Sequence, residues 1–420
     1  MMSPATITLI VLAVTAFLFI REVIPVPLTA MLCAAVLVFA GIAKPSDVIG
    51  GFSNTTVIIL NAMLIVGGAL FETGVTDKIA KSAVKIAKTE RQMIMVIFIL
   101  GSLLSALLNN TGTMAMMIPI ILGIQTSIGY SASRLMMAGF LGVMCGGRLT
   151  LVGDATVNTI AQAAILSVGG SFGFLDIGKI GLPLTIATGL WLYFFGYKTI
   201  PVRKAAEDSI YANGTEKTAP VWKQVMSIVI IAGVFFGMAF NDAIKVPLYW
   251  VAMVGAIAVW ALGILNTKQV CNLVDLKTVF LYVGMLPLGT ALKTTGAAKM
   301  IANVVSILVG GSGNVYLITA LMFIVACFMT QFTSNVVTIN LLAPIAIAIA
   351  STLHVSATAL IVTTCIACTM GYVSPVACPP ATIIYGSGGF KFTDYAKSNW
   401  SILIISFLIC VFLLPTMWPL

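Results

Sequence analysis

Charge is what this sequence has least of. Only 8% of its 420 residues are charged and 60% are apolar, with a mean hydropathy of +1.10, whereas soluble domains carry about 25% charged residues. A soluble multidomain enzyme, a disordered chain and a secreted disulfide scaffold are excluded together. The 22 Lys and Arg exceed the 13 Asp and Glu, leaving +9, but these charges lie in short gaps between long apolar runs. They form no face for nucleic acid. There is one histidine, no H-E-x-x-H motif and no nucleotide-binding loop, so an intramembrane enzyme has few residues to work with and direct ATP drive has none.

The eight cysteines fall mostly inside apolar runs, where a thiol behaves as a small hydrophobe. Cys365-Ile-Ala-Cys368 has a C-x-x-C spacing, but no second pair and no nearby histidine completes a metal site. The first apolar run, 4–20, has no positive residue before it and Arg21 after it, the reverse of a secretory signal, so it reads as a retained helix.

What remains is a polytopic membrane protein. Runs long enough to cross hydrocarbon lie near 4–20, 27–43, 55–71, 135–168 and 178–197, and again near 224–241, 247–265, 277–292, 358–386 and 401–418. The fourth of each set is interrupted. Between the third and fourth lies a longer apolar stretch broken midway, 92–127 and 314–351, which reads as a re-entrant hairpin.

The two sets resemble each other at three places, the test to apply before any fold assignment. Ala69-Leu70-Phe71-Glu72-Thr73-Gly74 with Ile79-Ala80 matches Ala291-Leu292-Lys293-Thr294-Thr295-Gly296 with Ile301-Ala302 at an offset of 222. Asn109-Asn110-Thr111, followed by Pro119, matches Ser334-Asn335-Val336, followed by Pro344, at 225. Gly147 to Asn158 lies over Gly371 to Thr382 at 224, the loosest match. Five crossings and a returning hairpin make an odd count, so the second copy enters the membrane inverted. The expected organisation is an N-terminal repeat over 1–198, a cytoplasmic linker over 199–223 and a C-terminal repeat over 224–420. With both termini outside, sixteen lysines and arginines fall on the cytoplasmic side and five (Lys44, Lys179, Lys245, Lys293, Lys299) outside, with Arg148 inside a crossing, as positive-inside bias requires. The stretch Thr76 to Arg91 spaces Lys78, Lys81, Lys85 and Lys88 as an interfacial helix does.

Polar groups in hydrocarbon are expensive, so their positions are informative. At each hairpin tip, Asn, Ser and Thr precede a second apolar arm and suit an N-cap, leaving amide donors and partial positive charge facing inward. At each interrupted crossing Gly146-Gly147 and Gly153, or Gly371, Pro375 and Pro379-Pro380, unwind the helix and free carbonyls for sodium. Broken helices at matching points of inverted repeats are the sequence pointer to a carrier's binding site.

At these residues the chain resembles the divalent anion/sodium symporter family, the INDY-like carriers of di- and tricarboxylates and sulfate. Asn109-Asn110-Thr111 and Ser334-Asn335-Val336 resemble its Ser-Asn-Thr tips; Thr150-Leu151-Val152-Gly153-Asp154 and Val376-Ala377-Cys378-Pro379-Pro380 resemble its unwound loops. The resemblance implies substrate contacts from Asn110, Thr111, Asn335, Val336, Pro379 and Thr382. It implies sodium ligands among Asn109, Asn110, Gly147, Gly153, Asp154 and Asn158, and among Ser334, Asn335, Thr338, Ala377 and Cys378. It further implies a homodimer in the inner membrane, elevator motion, sodium as coupling ion and no other cofactor. Family members usually have eleven crossings against the ten counted here, so an initial helix is missing by that comparison. The sequence also departs from the pattern: Val336 replaces a threonine, Asp154-Ala155-Thr156-Val157-Asn158 lacks both prolines, and Ala381-Thr382 offers no asparagine.

Arg148 and Asp154 leave three readings open: a structural pair across the unwound segment, Asp154 as a cation or proton ligand, or Arg148 as a substrate contact. Glu72 and His354 fall near interfaces. The expected activity is sodium-coupled transport of a small divalent anion, a C4-dicarboxylate such as succinate or malate, with citrate and sulfate as alternatives. A sodium/proton antiporter or arsenite-type carrier on a related fold and a dicarboxylate exchanger remain as alternatives within transport, a channel and an intramembrane enzyme outside it.

Overall fold

The computed structural model describes residues 3–21, 24–75, 78, 87–203, 219–297, 300, 303, 314–353, 355–375 and 377–418. Most of the Thr76 to Arg91 stretch, much of the 199–223 linker, Ile301-Ala302, His354 and Val376 lie outside these. Every described element is helical. The first half contains α1 (Pro4–Arg21), α2 (Val26–Phe39), the short α3 (Pro45–Phe52), α4 (Thr55–Thr73), α5 (Glu90–Leu107), α6 (Asn110–Ile128), α7 (Ala132–Gly146), α8 (Ala155–Ser167) and α9 (Asp176–Trp191), which continues through a wider turn to Thr199. The second contains α10 (Val221–Ala239), α11 (Leu248–Ala261), the short α12 (Thr267–Leu273), α13 (Leu276–Thr294), α14 (Val315–Thr330), α15 (Asn335–Leu353), α16 (Ala357–Cys368), α17 (Pro379–Ser387) and α18 (Phe392–Met417).

The helix breaks fall where the sequence places them: α5 turns into α6 and α14 into α15, pairs called hairpins below, and the chain leaves helix between α7 and α8 and between α16 and α17. By length and composition six helices among the described residues can each span a bilayer, or seven if the α12–α13 pair, bent by 43°, counts as one span; shorter apolar helices accompany them. The chain is a multi-pass membrane protein. Local chemistry sets the helix ends. Asn54, Asn109, Ser131 and Asn314 each accept a backbone N–H of their first turn, and Gly74 and Gly129 close α4 and α6 in the left-handed conformation.

The halves interlock by exchange. Helix α4 packs on α10, α11 and α12, while its counterpart α13 packs on α1, α2 and α3. The second arm of each hairpin likewise lies against the post-break helix of the other half, α6 on α17 and α15 on α8. These exchanges divide the chain into one group, α1–α4 with α10–α13, and a second, α5–α9 with α14–α18, joined through α4 on α8 and α13 on α15.

Helices α5 and α7 approach so closely that a Cβ at Gly142 would collide with the carbonyl of Phe98, and one at Gly146 with that of Ser102. Small residues at such spacing let helix backbones meet in lipid, where dispersion rather than hydrophobicity drives association. Ser102 adds a hydrogen bond across the seam, its hydroxyl donating to the Gly142 carbonyl at 3.0 Å. This seam fixes α7 where the break begins. Gly142→Ala is therefore expected to destabilise the protein by about 1–3 kcal/mol. Gly123→Ala on α6, where a Cβ meets nothing within 4 Å, is expected to be neutral or slightly stabilising. Thermal melts in detergent compare the two.

Candidate functional site

The two hairpin tips are built alike. Asn109 caps α6, accepting the Gly112 N–H at 2.6 Å. Its neighbour Asn110 has its Oδ1 held by the hydroxyl of Ser105, five residues earlier. At the second tip the Asn335 Oδ1 is held at 2.9 Å by the hydroxyl of Thr330, again five residues earlier. Each bond turns the amide so that its N–H groups point away from its own hairpin. The hydroxyl five positions before each asparagine is legible in the sequence, yet only the hairpin geometry shows its use.

One carboxylate lies between the tips. Asn110 Nδ2 donates to Asp154 Oδ2 at 3.0 Å and the Thr156 hydroxyl donates to Oδ1 at 2.8 Å, while the side chain of Asn335 lies close enough to act on the same group. Thus the first tip and the first break join at Asp154, with the second tip beside them. Among the described residues no lysine or arginine lies within ion-pair reach of it. A charged carboxylate held only by neutral donors and removed from water needs a countercharge. Asn110, Asp154 and Asn335 are 9%, 8% and 7% exposed, so each keeps a sliver of accessible surface that a small ion can reach.

The expected Arg148–Asp154 pair does not form. The guanidinium is 1% exposed and turns to the other half, where Nε donates to Thr369 Oγ1 at 2.8 Å and Nη2 to the Thr369 carbonyl at 2.7 Å. It also stands 5.2 Å from the Tyr372 ring centroid. Five residues of unwound chain separate Arg148 from Asp154, and the cap of α16 competes for the guanidinium with a bidentate site that suits its planar fork.

The first break is braced from within. Asn158 is fully buried, and its Nδ2 donates to the Gly147 and Thr150 carbonyls at 2.8 and 2.9 Å. Asn158 therefore ties the loop, and a cation at the Gly147 carbonyl would share that oxygen with it. Gly147 leaves the room into which Asn110 fits, since a Cβ there would lie 2.8 Å from Asn110 Oδ1. Gly153 lies against the Gly146 carbonyl and Ser105.

In the second half Thr338 shares a hydrogen bond with Thr333 at 2.9 Å, and Ser334 caps α15, accepting the Val337 N–H at 3.3 Å. Ala377 and Cys378 are buried, whereas Thr111, Pro379 and Thr382 are exposed and Val336 half-buried. The Thr382 hydroxyl donates to the Pro375 carbonyl at 2.8 Å, bracing the second break. Gln331 performs the same service: its Nε2 donates to the Met370 carbonyl and its Oε1 accepts the Val373 N–H. Glu72 accepts from Gln269 at 2.9 Å, away from the breaks.

A cavity of about 1040 Å³ lies between α8, α13 and α15, with Asn54, Tyr282, Thr290, Asn340 and Ser351 among mostly apolar walls. It does not contain the tip asparagines. Asn340, which lines it, follows Asn335 on α15 by little more than one turn.

A profile of citrate transporters matches residues 16–248 and 243–419. An uncharacterized transporter of Haemophilus influenzae is 26% identical over 97% of this chain and 90% of its own length. The sodium-dependent dicarboxylate transporter SdcS of Staphylococcus saprophyticus is 22% identical over 96% and 86%. A transporter of Synechocystis is 31% identical, but over only 49% of this chain and 33% of its own. Among solved structures the chain is similar to the YdaH transporter of Alcanivorax borkumensis (TM-score 0.64, 15% identity, 99% of this chain and 98% of that one). It is also similar to MtrF of Neisseria gonorrhoeae, described with a class of antimetabolite efflux pumps (TM-score 0.61, 14% identity, 99% and 94%). Shared architecture at such identities establishes the fold alone. Together with the profile match over nearly its whole length, it follows that this chain is no enzyme but a secondary transporter belonging to the citrate transporter family.

Proposed function

We propose that the protein carries a small divalent carboxylate, of the citrate or C4-dicarboxylate kind, together with sodium. The observation behind this reading is the hydrogen bond from Asn110 to the buried Asp154 carboxylate, with Asn335 of the opposite tip beside it. An anionic carboxylate beside a dianion is repulsive unless a cation intervenes, so cation and anion must load together, which is the physical content of symport. Sodium supplies the positive charge. Asp154 and the unwound carbonyls are its ligands, while Asn110 holds the carboxylate in place through its N–H group, with Asn335 beside it. The free N–H groups at the starts of α6 and α15 receive the substrate carboxylates, with Thr111 and Thr382, both exposed, beside them. SdcS, named for dicarboxylate and sodium, supports the class of cargo.

Alternating access follows from the packing groups. Helices α5–α9 and α14–α18 carry the site and slide against α1–α4 and α10–α13 as an elevator, with the cavity between α8, α13 and α15 as its vestibule. The termini lie outside an inner membrane, and the first group supplies the contact of a homodimer.

Proteoliposomes containing the purified protein should accumulate citrate or succinate when sodium is higher outside; uptake of citrate, succinate, malate and sulfate all indifferent to a sodium gradient would end the proposal. Asn110→Ala and Asn335→Ala should each lower uptake more than tenfold. Ser105→Ala removes only the bond that orients Asn110, so a loss of about 1 kcal/mol, roughly fivefold in apparent affinity, is expected. A cysteine at position 340 should react with a membrane-impermeant maleimide from the side opposite the linker, more slowly when citrate and sodium are present.

A further inference from the structure

Arg148 and Asp154 are the two ionisable charges buried among the described helix breaks. Asp394, the other buried carboxylate, is paired with Arg203 at 2.9 Å near the start of α18. Both central charges belong to the segment between α7 and α8, yet they are held apart: the carboxylate by Asn110 and Thr156, the guanidinium by Thr369. The remaining ionisable side chains that act on Asp154 are the thiols of Cys365, Cys368 and Cys378, which bring no positive charge.

The separation has a chemical consequence. A bridging guanidinium would place its positive charge in contact with both carboxylate oxygens and repel a metal ion from them far more strongly than a neutral donor does. Hydrogen bonding ends within about 3.5 Å, whereas Coulomb attraction falls only as the inverse of distance and is little screened in the protein interior. An arginine held beyond contact therefore offsets the charge of a buried carboxylate without using its oxygens, and the packing of Gly153 on Gly146 and Gly147 brings the residues that carry the two charges into one small region. The Thr369 fork does the holding, supported by the stack on Tyr372.

We propose that Arg148 is a fixed countercharge to Asp154, and that this separated couple weakens the hold of the central site on its coupling cation to a level from which the ion can be released. The inference rests on the reading of Asp154 as a sodium ligand. Arg148 is thus a positioning and electrostatic residue, touching neither ion. Its charge repels sodium, so its removal must tighten sodium binding. A unit charge about 10 Å away in an effective dielectric of about 20 changes a binding constant roughly tenfold.

The test is the sodium concentration that gives half the maximal thermal stabilisation of the purified protein, with choline holding ionic strength constant. Arg148→Gln should lower that concentration about tenfold. Arg148→Lys keeps the charge and loses the fork, and Thr369→Val removes the hydroxyl acceptor and leaves the charge; both should stay within about threefold of the unmodified protein. Equal shifts in all three variants would make the role purely structural and overturn the proposal, as would an unchanged value in Arg148→Gln. Should Arg148→Gln fail to fold, the double variant with Asp154→Asn decides: recovery of folding supports the couple, and failure overturns it. Absence of any sodium effect in the unmodified protein removes the symport reading and this inference together, whereas a normal effect with an unmoved Arg148→Gln removes only the latter.

Discussion

A carboxylate without an ionic partner, placed where two hairpin tips meet, is the constraint on which the rest of the structure depends. Asp154 can be tolerated there only if neutral donors surround it and some positive charge neutralises it. The neighbourhood supplies the donors with economy: one amide from the first hairpin and one hydroxyl from the following helix, with the Asn335 amide of the second hairpin beside them. Those amides are aimed by hydroxyls five residues upstream. The break itself is held by Asn158, and the glycines admit the close approaches that bring α5, α7 and the loop together. Remove the convergence and these features lose their common purpose.

Exchange of partners between the halves explains how a site assembled from four elements stays assembled. Because α4 and α13 each pack on the first helices of the opposite half, and α6 and α15 on its post-break helices, neither half can bury its apolar surface alone. The relation extends to single side chains. At an offset of 224, Arg148 corresponds to Tyr372 and Cys145 to Thr369. Arg148 bonds Thr369, Tyr372 hydroxyl lies 4.0 Å from Cys145 Sγ, and the arginine stacks on its own counterpart. A contact between equivalent residues is where divergence is most consequential, since a change on one side meets the unchanged residue on the other. Placing a cation on one copy and an aromatic ring on the other turns a potential repulsion between two arginines into an attraction.

Kinship with citrate transporters and fold similarity to YdaH and MtrF operate at different levels. The fold provides broken helices and facing tips; the letters at those tips decide the cargo. Here Val336 brings a methyl surface where a hydroxyl is expected, and Asp154 brings a charge where the family pattern has neutral residues. The tips are consequently poorer in hydroxyl donors and the first break richer in negative charge than the pattern they resemble.

The sequence by itself determined that the chain lives in a bilayer, that it is doubled, and where its helices break, because hydrocarbon admits so few polar residues that each Asn, Gly and Pro cluster marks a position. It also marked Asn110 and Asn335, which recur at matched points, and Asp154, whose counterpart is Cys378; such polar residue types are costly in lipid. Tertiary structure alone decided which of these touch. Five intervening residues without regular helix leave the direction of Arg148 undefined, and the fork at Thr369, 221 positions away, captured it. Likewise Asn158 reads as a ligand in sequence but is spent on bracing a loop, while Ser105, Thr330, Thr156 and Gln331 read as ordinary helix residues and do the aiming. A hydrogen bond is satisfied by whichever partner the fold brings within 3 Å, and composition and spacing carry no record of that choice.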